Sequence, residues 1–238
     1  MSIIPSEFDP SLTSPHFLIR RRLLNCIRTL APRLRGKMMD FGCGQKPYKS
    51  LFTVDEYIGV DYDSPGHSHE NESIDVYYDG KTLPFHDQHF DSIFSSEVFE
   101  HIFNLPDILR ELNRVMKTGG QILITCPFTI GEHEVPNDFA RYTSFAIKYL
   151  MEAHGFEVTE QIKTGNSMEA LVQMQLLYFH LNFYPKVKRI PVVRSLFRIL
   201  LYTAGNAGAL LMGKIFPKGS ELYLNNVLLC RKVKNLSP

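Results

Sequence analysis

The chain has 238 residues, of which 44% are hydrophobic and 21% charged, and its formal net charge is +1. Such a composition supports one globular core with room for an appendage and excludes a disordered or fibrous chain. The near-neutral balance gives no general argument for nucleic acid binding. The four cysteines, Cys26, Cys43, Cys126 and Cys230, are widely spaced and form no C-x-x-C pair or zinc-like cluster. They are therefore expected to be reduced thiols, and no metal is expected. MSIIPSEFDP at the N-terminus lacks a basic region followed by an apolar core, which argues against a secretory signal and for a cytoplasmic location.

In chain order, residues 15–34 have helical spacing and many basic residues, ending at Pro32. Short apolar segments then recur: KMMDF, EYIGVDY, IDVYY, FDSIFSS, GGQILITCPF, GFEVTEQI and LYLNNVLLC. Between the fourth and fifth, Ile108, Leu109, Leu112, Val115 and Met116 mark one buried helical face, with Gly119 and Gly120 expected to stop the helix. A second helix is expected from Thr143, as N-cap, to His154, with Gly155 as its stop. Strands alternating with helices indicate an α/β fold with a mainly parallel sheet covered on both faces.

In an open α/β sheet a ligand lies beyond the carboxyl ends of the strands, so the residues closing each strand are candidates. The first apolar segment closes on Asp40 and the turn Gly42–Gly44, where absent side chains let backbone N–H groups approach a ligand. The next close on Asp61, on Asp79, and on Ser95, Ser96 and Glu97. Asp61 follows Asp40 by 21 residues, about the interval at which a carboxylate reaches a ribose diol. A nicotinamide dinucleotide and S-adenosylmethionine both suit such a site. The dinucleotide fingerprint needs glycine at position 47, where this chain has Pro47, and that weakens the oxidoreductase alternative.

MMDFGCG, YIGVDYD, DGKTLPFHDQHFDSIFSSEVFEHI and LRELNRVMKTGGQILIT together resemble the class I S-adenosylmethionine-dependent methyltransferases, in particular the type 11 group, across residues 36–162. The resemblance implies a Rossmann-like seven-stranded sheet whose last strand is antiparallel. It also implies that Gly42 and Gly44 pass under the methionine part of S-adenosylmethionine and that Asp40 holds its amino group. Asp61 would bind the ribose, Asp79 and Gly80 would meet the adenine, and Ser95 would lie beside the methionine moiety. The chain departs from the family at Lys46, where a third glycine is usual; a lysine there either pairs with the cofactor carboxylate or is solvated. A non-catalytic cofactor-binding protein would carry the same motifs.

The acceptor side is expected in residues 126–143, CPFTIGEHEVPNDFARYT, a long loop dense in polar groups. His133 is the first candidate for a general base, with Glu134 or Asp138 orienting it, and His101 is the reserve. Asn137, Arg141 and Tyr142 are candidate acceptor contacts. A similar stretch belongs to relatives associated with surface sugars and glycosylated products, which implies a sugar, glycolipid or other small hydroxyl-bearing acceptor.

The expected layout is an N-terminal helical segment (1–35), a methyltransferase core (36–168), a basic apolar helical insertion (169–220) and a final strand with tail (221–238). Between Glu169 and Glu221 there is no acidic residue, and the stretch carries +7, leaving −6 for the remainder of a chain at +1. The uncharged run Ile199–Gly213 has 15 residues, short of the roughly 20 that span a bilayer. A basic, aromatic and apolar insertion suits peripheral contact through residues 186–214 with an anionic inner membrane face or a lipid-linked sugar. A helical cap against the sheet or a second copy in a homo-oligomer is the alternative. The aromatics form no recognisable stacking motif, which argues against nucleic acid.

Overall fold

In the computed structural model, residues 4–62 and 73–236 are described. Seven strands form one sheet: β1 (Lys37–Phe41), β2 (Glu56–Tyr62), β3 (Val76–Tyr78), β4 (Phe90–Ser96), β5 (Met116–Pro127), β6 (Phe156–Lys163) and β7 (Asn225–Lys232). Their spatial order is β3-β2-β1-β4-β5-β7-β6. Strands β1 to β5 pair in parallel, and β7 lies antiparallel between β5 and β6. The order reverses between β1 and β4, so the crevice above that pair is where the topology leaves room for a ligand.

The apolar runs build this arrangement because the strands are buried on both faces. On one face Met39, Phe41, Ile93, Ile122 and Ile124 pack against α2 (Leu105–Val115) and α3 (Ser144–Ala153). On the other, Met38, Phe94, Leu123 and Leu229 pack against Leu23, Leu24, Ile27 and Leu30 of α1 (Phe17–Leu30). Helix α3 begins as expected, with the Thr143 hydroxyl accepting from the Ala146 N–H at 3.1 Å. It ends before Gly155, whose φ of +82° needs glycine.

Helix α2 ends differently from the sequence expectation. It stops at Val115, and Met116 starts β5 by pairing with Phe90, so Gly119 and Gly120 lie inside the strand. The glycine stop is unnecessary because Lys232 of β7, almost fully buried, donates its ammonium protons to the carbonyls of Asn113 (2.5 Å) and Met116 (2.7 Å). A cation at a helix C-terminus satisfies carbonyls that the helix leaves open.

Beyond β6 the chain forms α4 (Ser167–Asn182), the short α5 (Tyr184–Val187), α6 (Pro191–Phe197), a π-helical turn (Arg198–Thr203) and α7 (Ala204–Ile215) before returning to β7. The α4 residues Ala170, Val172 and Leu176 pack with Leu18, Ile19, Tyr202 and Ala209, tying the insertion to α1. From Pro191 to Ile215 the helical run is continuous over 25 residues, and only 22% of its most apolar stretch is buried. The uncharged run Ile199–Gly213 thus lies within a longer helix that also carries Arg194, Arg198 and Lys214. By length and composition alone that longer helix reaches what crossing a bilayer requires.

Replacing Lys232 by methionine keeps the stem and removes the donors. Chemical denaturation is expected to show a loss of about 1–3 kcal/mol, the penalty for leaving buried carbonyls unpaired. An unchanged midpoint would mean that the helix end is satisfied in another way.

Candidate active site

The glycine turn divides its two glycines between two tasks. Gly42 has φ +72°, and a side chain there would meet Val98 at 2.3 Å, so this glycine is required by packing against the segment after β4. A side chain at Gly44 would meet nothing within 4 Å, so its surface lies open towards the crevice. The turn is tied to β2: the N–H groups of Gly42 and Cys43 donate to the Val60 carbonyl, and the Gly44 N–H donates to Asp61 Oδ2 at 2.8 Å. The open face at Gly44 and the buried, unpartnered Ser95 hydroxyl nearby in the β4 terminus fit a ligand that approaches backbone closely.

Asp40 is buried beneath this turn and accepts a hydrogen bond from the Tyr57 hydroxyl. Burial pushes its carboxyl up to about 7, the Tyr57 hydrogen bond opposing and the nearby Asp61 charge adding to the shift. A cationic amino group near Asp40 would be stabilised by its ionised form. Asp61 closes β2, with Oδ1 accepting from the Tyr62 N–H at 2.8 Å while Oδ2 holds Gly44. Asp79 is exposed, and its Oδ1 accepts from the N–H groups of Lys81 and Thr82. Those bonds, Thr82's first, hold its carboxyl below the usual range. Both turn-capping bonds fall on Oδ1, so a ligand role would use Oδ2. Gly80, at φ +76°, lets the chain pass the Tyr62 ring, which an added side chain would meet at 2.7 Å.

Lys46 does not lie in solvent. Its side chain is buried, runs over Gly59 in β2 and pairs with Asp75 Oδ2 at 2.6 Å, an oxygen that also accepts the Gly59 N–H at 2.7 Å. A side chain at Gly59 would meet Lys46 Cε at 2.1 Å, so the glycine in β2 makes room for the lysine. Position 46 still has φ +52°, the backbone conformation that glycine serves in related turns. The expectation of a solvated lysine is thereby corrected.

On the acceptor side, the segment after β4 and the loop before α3 converge. Glu97 has φ +57°, and its carboxylate accepts from the Thr125 hydroxyl (2.9 Å) and Asn225 Nδ2 (3.0 Å). Glu100 is fully buried, and neither of its carboxylate oxygens has a hydrogen-bond partner among the described residues. His101 Nε2 lies 3.7 Å and His133 Nε2 4.0 Å from Glu100 Oε1, and the two rings meet edge to face at 4.8 Å. Burial, reinforced by the Glu97 charge, raises the Glu100 carboxyl well above the usual carboxylate range.

The remaining loop residues mostly fold the loop. Asp138 accepts the His133 backbone N–H at 2.9 Å, and both its oxygens bind the Arg141 guanidinium at 2.5 and 2.6 Å. Arg141 holds that carboxyl down to about 2 and also donates to the Gly131 and Ala140 carbonyls. Asp138 therefore positions His133 through the main chain, with the ring Nδ1 at 3.5 Å from Oδ2. Glu134 stands nearer His101, at 3.7 Å from Nε2, so of the two proposed orienting groups it serves the other imidazole. Asn137 contributes its carbonyl to His101 Nδ1 at 2.7 Å. Tyr142 packs against the core, with its carbonyl accepting from Asn226, and burial pushes its phenol up to about 12. Glu100 and Asn225 were missed as site residues; the reversed pairs Glu100-His101 and His133-Glu134 were the available signal.

The buried carboxyls give a pH signature. With a folded value near 7 against about 4 in the unfolded chain, Asp40 keeps its proton on folding between those limits, so stability falls as pH rises through them. Asp40→Asn is expected to flatten that decline in denaturation midpoints measured from pH 4 to 8. Glu97 and Glu100, raised by burial, retain part of it.

Residues 39–124 match the family described as "Methyltransferase domain". A malonyl-[acyl-carrier protein] O-methyltransferase of Erwinia pyrifoliae is 32% identical over 95 residues, covering 37% of this chain and 36% of that protein. A Mycolicibacterium smegmatis protein named "Probable S-adenosylmethionine-dependent methyltransferase" is 26% identical over 166 residues, 64% of each chain. The chain thus spans less than two thirds of the length of either relative. In fold it is similar to Haemonchus contortus phosphoethanolamine N-methyltransferase 2 in complex with S-adenosyl-L-methionine, with TM-score 0.50 and 15% identity, covering 98% of this chain and 61% of that one. A sheet reversing at β1 and β4, a glycine turn latched to an acidic second strand, and a domain match over that same stretch have one common reading: residues 39–124 carry a methyltransferase domain like that of the class I S-adenosylmethionine-dependent methyltransferases.

Proposed function

We propose that this chain methylates an oxygen of a sugar, glycolipid or other small hydroxyl-bearing acceptor. The observation that carries the acceptor half is the convergence of His101 and His133 on buried Glu100, directly after the strand that borders the cofactor crevice. S-adenosylmethionine supplies a methyl carbon activated by its sulfonium; as the O–C bond forms the C–S bond breaks, leaving S-adenosylhomocysteine. Such displacement needs alignment and exclusion of water more than covalent help. A neutral hydroxyl must also lose a proton, and the imidazole pair supplies ring nitrogens that can accept it. His133, held through its backbone by Asp138, is the first base and His101 the second. O-methylation is also what the name of the Erwinia pyrifoliae relative states, there for a malonyl group on acyl-carrier protein.

The insertion supports a lipid-linked acceptor or work at an anionic membrane surface, from the cytoplasmic side. Ile190, Val192, Val193, Leu196, Ile199 and Leu200 are exposed, and Lys186, Lys188, Arg189, Arg194 and Arg198 lie among them. A basic helical face with uncovered apolar side chains complements acidic headgroups above acyl chains. A second copy of the chain on this face is the competing occupant and would appear as a dimer in solution.

Calorimetry is expected to show S-adenosylmethionine binding in preference to NAD, with Asp61→Ala weakening it. NAD binding without a response to S-adenosylmethionine would remove the proposal. In turnover assays with methyl-labelled cofactor and candidate acceptors, His133→Ala should lose about 100-fold or more in rate with cofactor affinity unchanged. A fully active variant would exclude the base and point to an acceptor already deprotonated. Replacing Lys186, Lys188, Arg189 and Arg194 with glutamine should abolish salt-sensitive binding to anionic vesicles. Vesicle binding that survives this change would exclude the electrostatic contact.

A further inference from the structure

Glu100, His101 and His133 bring one carboxylate oxygen and two imidazole nitrogens within 4.8 Å of one another. The Glu100 carboxylate is completely buried with neither oxygen hydrogen-bonded among the described residues. A buried ionisable group without a partner is costly and calls for a water or ion that satisfies it. The two imidazoles do not do so by hydrogen bonding. Their Nε2 atoms stand 3.7 and 4.0 Å from Oε1, beyond the roughly 3.2 Å limit of a good hydrogen bond. Those separations lie close to the roughly 3.4 Å between neighbouring ligand atoms around a tetrahedral ion with bonds of about 2.1 Å.

The outer contacts of the rings fit the same arrangement. His101 Nδ1 is 2.7 Å from the Asn137 carbonyl, which can only accept, so Nδ1 carries a proton and a neutral ring offers its Nε2 lone pair towards Glu100. His133 Nδ1 is 3.2 Å from the Gly131 carbonyl, which can select the same tautomer. Arg141 Nη2, also at 3.2 Å, favours the other one. An ion at Nε2 would decide between them. Backbone carbonyls behind ligating histidines are the usual way in which proteins fix a ring for a metal. Glu134, with Oε2 at 3.7 Å from His101 Nε2 and mostly exposed, is the residue that can close a fourth position or leave it to a ligand.

We propose that Glu100, His101 and His133 form a binding site for one first-row divalent cation. Two imidazoles and a carboxylate suit zinc, manganese, iron or cobalt better than calcium or magnesium, which prefer all-oxygen sets. The site rests on the geometry of these three side chains. Its role in methyl transfer rests on the acceptor reading above, because a cation here would acidify an acceptor hydroxyl that the imidazoles would otherwise deprotonate directly.

The test uses the full chain, stripped with a chelator, dialysed, and titrated with Zn2+ and Co2+ by calorimetry and absorption spectroscopy. One equivalent should bind, with cobalt d–d bands and no thiolate charge-transfer band. His101→Ala and Glu100→Gln should each weaken binding by about 100-fold or more, while S-adenosylmethionine affinity, measured on the same samples, stays within a few-fold of the parent. Absence of saturable binding by the parent protein would overturn the site, as would a thiolate band or binding untouched by His101→Ala. The parent measurement stands even if a variant fails to fold. Loss of S-adenosylmethionine binding by the parent would instead strike the methyltransferase proposal, so the two failures are separable.

Discussion

The site is organised by carboxyl groups held out of water at the carboxyl edge of the sheet. Asp40, Glu97 and Glu100 all have their acid forms favoured by burial. Each would ionise readily in solvent, and the fold keeps them where negative charge is costly unless a cation arrives. Positive charge would be favoured at such an edge: under the reading proposed above, the ammonium of the cofactor on the Asp40 side, and cationic or hydrogen-bond-donating groups on the Glu100 side. The apolar packing of strands with α1, α2 and α3 supplies the stability against which that cost is set.

Around this edge, charged pairs lock the backbone and leave the ligand-facing atoms in place. Lys46 and Asp75 fasten the far side of the glycine turn to β2, and Gly59 gives the lysine stem its passage. Asp61 closes the near side through Gly44. Arg141 and Asp138 do the corresponding work in the loop before α3, so that His133 faces Glu100 from a segment with no regular secondary structure of its own. Positive φ at Lys46, Glu97 and Glu134 marks where this bracing holds non-glycine residues in the left-handed region. Strain of this kind persists only where the surroundings over-determine it.

The insertion follows a separate logic. Its inner side joins α4 and α7 to α1, whereas α5 and α6 expose apolar and basic side chains together. A covering helix that served only the core would have no need to leave Val192, Leu196 and Leu200 uncovered. The asymmetry between a basic insertion and an acidic remainder is visible in composition alone, but the continuity of the helix from Pro191 to Ile215 emerges only when α6, the π turn and α7 stack end to end.

Local pattern by itself determined the strands, because apolar runs bounded by turn residues leave few alternatives, and all seven expected segments became strands. It also determined the acidic strand ends and the Thr143 cap, whose signals lie within a few residues of one another. Tertiary structure decided what depends on atoms distant in the chain. The end of α2 is set by Lys232, 117 residues beyond Val115, and the left-handed turn at position 46 is filled by a lysine because Gly59 and Asp75 receive it. Glu100 and His133 come together only because the loop folds back over the end of β4. The reason is physical: periodicity records which face of an element is buried, whereas the charge state and ligands of a buried group depend on which partners the rest of the fold brings to it.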